Sequence, residues 1–157
     1  MRILFAADVP PDPNSGAAGT EWQTIQALRR LGHEVDEIWA DGLPHRIKHG
    51  NLHYLLELPR GFRDAIRAKW ERNTYDVVHV NQPHAYLAAI DHQRARRPGV
   101  FVNRSHGWEA QVFEELRPWR RVFNSPEWSF PRCVPGWLVQ RGIIRQCDKA
   151  ARCSDGV

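Results

Sequence analysis

An α/β fold is predicted, with a doubly wound, mainly parallel sheet and helices on both faces. Three observations carry that expectation. Arg2–Ala7 is a near-continuous apolar run of strand length, the type covered on both sides. A loop, an amphipathic helix and a second strand follow it, the β-loop-α-β opening of a parallel sheet. Short buried-type strands then recur at Tyr75–Val80 and Val100–Val102, with helical segments between them.

Each element has its own signal. Thr20-Glu21-Trp22-Gln23 fits the capping box S/T-x-x-E/Q and predicts a helix start after the loop "PDPNSGAAG". Trp22, Ile25, Leu28 and Leu31 make one face of that helix, and Gly32 stands where a C-terminal cap belongs. His33–Ala40 reads as the second strand. Asn51–Leu58 fits either a strand or a helical turn. Pro59–Asn73 reads as a helix, with Phe62, Ile66 and Trp70 on one face and Arg60, Arg63, Arg67, Lys69 and Arg72 elsewhere. Such a helix can lie on a membrane, but packing on the sheet is the expectation here. Asn81-Gln82-Pro83 opens a helix rich in alanine, with proline tolerated in its first turn, and Arg97-Pro98-Gly99 breaks it. Pro135–Ala151 is helical, and Ser154-Asp155-Gly156-Val157 reads as the first step of another strand.

The chain has 157 residues, enough for one domain with a real core. Hydrophobic residues at 42% and charged residues at 25% exclude a disordered chain. No apolar run reaches the ~18–20 residues of a membrane span, and the N-terminus lacks the pattern of a signal peptide. Cys133, Cys147 and Cys153 form no CxxC pair, which suits reduced thiols and a cytoplasmic setting and does not suit structural zinc. The net charge of +4 is uneven: eight basic residues fall between Arg117 and Arg152, against Glu127 and Asp148. That surplus suits phosphate, an anionic membrane surface or nucleic acid, and equally a solvated face.

Candidate site residues collect where a parallel sheet binds ligands, beyond the carboxyl ends of its strands. Gly16, Ala17, Ala18 and Gly19 are small enough for backbone N–H groups to approach an anion at a helix N-terminus. The spacing is neither GxGxxG nor a P-loop, so a plain strand-to-helix connection stays open. His106, in Asn103-Arg104-Ser105-His106-Gly107-Trp108-Glu109, follows a strand onto the same rim and is placed to bond a sugar hydroxyl or a reacting group. A histidine bonded within the core or loop is the alternative. Asn81, Gln82 and His84 occupy the rim after the preceding strand, where amides suit hydroxyls, although Asn81 also suits a helix cap. His79, inside that strand, reads as structural.

In order and spacing, "MRILFAADVPPDPNSGAAGTEWQTIQALRRLGHEVDEIW", "YDVVHVNQPHAYLAA" and "NRSHGWE" resemble the N-terminal half of a family 4 retaining glycosyltransferase of the GT-B fold. The resemblance spans essentially the whole chain. It implies two Rossmann-like domains across a cleft, residues 1–157 forming the acceptor side. A C-terminal domain would bind the nucleotide sugar, with a glutamate pair that has no counterpart here. It further implies that Gly16, Ala17 and Gly19 contact the donor diphosphate and that His106 acts at the reacting centre. Asn81, Gln82, His84, Arg104 and Glu109 would line the acceptor or sugar side. No metal and no cofactor are called for, and nucleic acid is not an expected partner. The implied partners are a nucleotide sugar and an acceptor, with weak contact between basic residues and the inner membrane face. On this reading the chain alone is inactive. Two other readings remain: a non-catalytic module binding through its basic surface, and half of another GT-B enzyme such as a sugar epimerase.

Overall fold

A strand with no polar side needs cover on both faces, and the computed structural model, described at residues 1–81, 84–104, 111, 115–116, 119, 122 and 133–156, supplies it. β1 (Arg2–Ala6) is an inner strand of a four-stranded parallel sheet of order β2-β1-β3-β4, where β2 is Glu34–Ile38, β3 Val77–Asn81 and β4 Val100–Arg104. Ile3 pairs with Val35 on one side and Val77 on the other, and Val78 pairs with Phe101. Alternation along the strands then divides the core. Ile3, Phe5 and Ala7 pack with Ile25 of α1 (Gly16–Arg30) and with Val35 and Trp39. Leu4 and Ala6 pack on the opposite face with Phe62 and Ile66 of α3 (Leu58–Trp70) and Ala88 and Ala89 of α4 (Tyr86–Ala95). At the amino ends, Asp36 accepts hydrogen bonds from Tyr75 (2.6 Å) and Arg2 (3.2 Å), tying β1, β2 and the approach to β3.

α1 begins at Gly16, five residues before the start that a cap at Thr20 implies. Thr20 does not cap: its hydroxyl donates back to Gly16 O at 2.9 Å, as threonine does inside a helix. Ser15 is the N-cap by position, without a side-chain bond. Gly32 does terminate the helix, at φ +83, with Gly32 N–H on Arg29 O and His33 N–H on Leu28 O, a Schellman pair.

The ambiguous stretch is helical. α2 (Gly50–Leu52) passes through a π-helical turn, His53–Glu57, into α3. The basic helix packs on the sheet as expected, with Phe62 and Ile66 fully buried. Its Arg67 forms a forked pair with Asp91 of α4, and Arg63 pairs with Asp64. Asn81 closes β3 and does not cap a helix, since α4 starts at Tyr86.

α5 (Cys133–Cys153) packs against α4 and the π-helical turn, with Gln146 Nε2 donating to Leu55 O at 3.0 Å. The expected further strand begins as read: Gly156 bridges Val102 in parallel, and Asn103 N–H donates to Gly156 O at 2.9 Å. Cys153 is a free thiol. Among the described residues, no helix is long and apolar enough to cross a membrane.

Candidate functional site

In the order β2-β1-β3-β4 the connections leave β1 and β3 toward opposite faces, which opens a crevice between their carboxyl ends. The loops after β1 and β3 therefore bound the expected site. On the α1 side stand the first turn of α1, Asn81 and Arg104. Gly16 and Ala17 are exposed in that first turn, above an open groove of about 640 Å³ that runs along Ser15, Thr20, Gln23 and Thr24. Gly19 is buried, and a Cβ there would sit 2.8 Å from Pro13 O. Its smallness thus serves the return of the loop onto the helix, whatever else it contacts. Arg104, expected on the sugar side, spans to α1: its Nη1 donates to Glu21 Oε2 at 3.1 Å, and the Glu21 side chain is fully buried.

On the α3 side lies a grouping absent from the sequence reading. Asp8, Leu43, His45, His53 and Tyr54 line a cavity of about 120 Å³ beyond β1 and β2. The π-helical turn contributes His53 and Tyr54 to it, and such turns recur at functional sites. His53 Nδ1 lies 2.9 Å from Glu57 Oε2, and the His45 ring packs 4.2 Å from the His53 ring. Glu57 also accepts the N–H groups of Ile47 and Arg46. The Ile47 bond first, then His53, hold its pKa down at about 2, so it is a fixed carboxylate. His84 stacks on Tyr54 with centroids 5.0 Å apart, and burial pushes its pKa down to about 4. His84 is therefore neutral at pH 7, able both to donate and to accept.

Two amides complete the rim. Asn81 and Asn103 end adjacent strands, are 2% and 1% exposed, and point to opposite faces of the sheet. Neither side-chain oxygen has a hydrogen-bond partner among the described residues. His79 behaves as read from sequence, stacked on Phe5 at 4.4 Å. Gln82, His106 and Glu109 lie outside the described residues. No three His, Cys, Asp or Glu side chains among the described residues converge as a metal site.

Buried His84 gives a pH dependence with a definite sign. A folded-state pKa of about 4 lies below the ordinary histidine value of 6.5, so the unfolded chain binds the proton more readily. Stability from neutral His84 is complete above pH 6.5 and falls as pH drops toward 4. Glu57 adds a second loss between 4.5 and about 2. Denaturant unfolding from pH 7 to 4 should show the first decline in the native chain and a shallower one in His84→Phe. Parallel curves would remove His84 as its source.

Fold and rim define a class: an α/β protein with a parallel sheet and a polar crevice beyond its carboxyl ends. No family model matches the chain, and no curated protein matches it significantly.

Proposed function

We propose that the chain is the acceptor-binding half of a nucleotide-sugar-dependent retaining glycosyltransferase, one doubly wound, Rossmann-like half of a GT-B fold. The observation that carries the reading is the Asn81 oxygen at the carboxyl end of β3, buried and without a partner among the described residues. A buried acceptor without a partner costs about 1–3 kcal/mol, and a ligand hydroxyl removes that penalty. A phosphate oxygen, itself only an acceptor, does not. Neutral His84 and the cavity of Asp8, His45, His53 and Tyr54 suit hydroxyls in the same way. The motifs "LRRLGHEV", "DVVH" and "SHG", in family order, add their support.

In this reading Gly16, Ala17 and Gly19 approach the donor diphosphate, Asn81, Gln82, His84, Arg104 and Glu109 face acceptor or sugar, and His106 meets the reacting centre. A second domain supplies the nucleotide-sugar site. The 157-residue chain alone should then transfer no sugar, whereas a chain continuing into that domain should. In the longer chain, His106→Ala should lower turnover about a hundredfold, the effect of losing one preorganised donor, at unchanged melting temperature. Kinetics and thermal unfolding measured together decide it. Full turnover with a lowered melting temperature returns His106 to a structural role. Conversion of the nucleotide sugar without transfer would favour an epimerase-type enzyme.

A further inference from the structure

The cations of the chain are not equally engaged. On α3, Arg63 and Arg67 are held by Asp64 and Asp91. On α5, Arg141, Arg145, Lys149 and Arg152 follow one another at helical spacing along an exposed stripe. None of the four forms an ion pair with a described carboxylate. Toward the helix start the stripe turns apolar: Val134, Trp137 and Leu138 are 40%, 50% and 57% exposed. The Arg141 guanidinium lies over the Trp137 ring at 4.6 Å, where the two zones meet. Beside it, the π-helical turn touches Gly142 through Leu55 and carries Leu56, which is also exposed.

We propose that this face of α5 docks on an anionic phospholipid surface. Val134, Trp137 and Leu138 enter the headgroup boundary, and Arg141, Arg145, Lys149 and Arg152 lie along the phosphates. An interfacial helix combines apolar side chains for the headgroup boundary with cations for the phosphates, and an aromatic ring suits the level between them. A second copy of the chain is a poor occupant, because α5 carries a single acid, Asp148, and offers no anionic stripe in return. Nucleic acid matches the cations but leaves Val134 and Leu138 uncovered. The inference stands apart from the acceptor reading, since none of these residues belongs to the rim.

The test uses the 157-residue chain and phosphatidylcholine vesicles with and without phosphatidylglycerol. Sedimentation should require phosphatidylglycerol and weaken with added salt. Each cation near such a surface is worth about fivefold in partitioning, so Arg141→Gln with Arg145→Gln should lose about 25-fold. Leu138→Asp should lose at least tenfold, on the order of one apolar side chain withdrawn from the interface. Arg30→Glu with Arg94→Glu, exposed elsewhere, should bind nearly as the native chain, and circular dichroism melts should confirm that every variant is folded. Four results overturn the proposal: no binding to phosphatidylglycerol vesicles, equal binding to phosphatidylcholine alone, native binding by the α5 variants, or an equal loss in the control. Lipid-free self-association abolished by Leu138→Asp overturns it in favour of a second copy.

Discussion

Gly99→Ala is expected to destabilise the protein by about 3–5 kcal/mol, enough to lower its melting temperature by roughly 10 °C or more. Two effects add. Gly99 sits at φ +87, a conformation that L side chains rarely adopt. A Cβ there would also lie 2.2 Å from Tyr75 O and 2.8 Å from Asp76 O. Both are backbone atoms, so no side chain can swing aside. The only relief is movement of the chain entering β4. That movement strains the Val100 N–H bond to Asp76 O, now 2.9 Å, at the start of the β3–β4 ladder. Gly136→Ala is the matched control: it is helical and meets nothing within 4 Å. That change should be neutral or stabilising by up to about 1 kcal/mol. Denaturant midpoints for the two variants give the comparison, and a loss under about 1 kcal/mol for Gly99→Ala would contradict the clash.

The fold was legible where one local signal decides the structure. The apolar run of β1 admits only a covered strand. "LRRLG" ends a helix because Gly32 can take positive φ, and the Asp155-Gly156 step announces a strand at the point where Gly156 bridges Val102. The start of α1 was not legible. Thr20-x-x-Gln23 has capping spacing, but Gly16–Gly19 already lie in helix because Gly19 lets the loop at Pro13 close against it. The π-helical turn had no periodicity of its own to read. The site divides in the same way. Rim positions after strands, such as Asn81 and His84, follow from topology. The cavity of Asp8, His45, His53 and Tyr54 comes from three separate segments, and only tertiary packing joins them. A trace of Glu21 was present in the sequence: it falls on the apolar face of α1, between Ala18 and Ile25, where a carboxylate demands a partner. The partner is 83 positions away.

That pair should be a highly sensitive polar contact among the described residues. Glu21 is 0% exposed at its side chain and Arg104 is 32% exposed, so the two partners are not equivalent. Arg104→Ala takes the guanidinium away from a carboxylate held in the interior, and breaking a buried pair in this way costs about 3–5 kcal/mol. The lower end is expected, because water reaches the Arg104 side of the pair. Glu21→Ala leaves a guanidinium that can turn toward solvent, and its smaller loss comes mainly from the emptied space. Replacing both by leucine removes the charges and refills much of the volume, and should recover most of the stability. The double-mutant cycle should therefore be strongly non-additive, with a coupling of at least about 1 kcal/mol. Urea unfolding of the four proteins measures it. Additive losses, or an Arg104→Ala variant as stable as the native chain, would show that Arg104 does not brace α1 against β4.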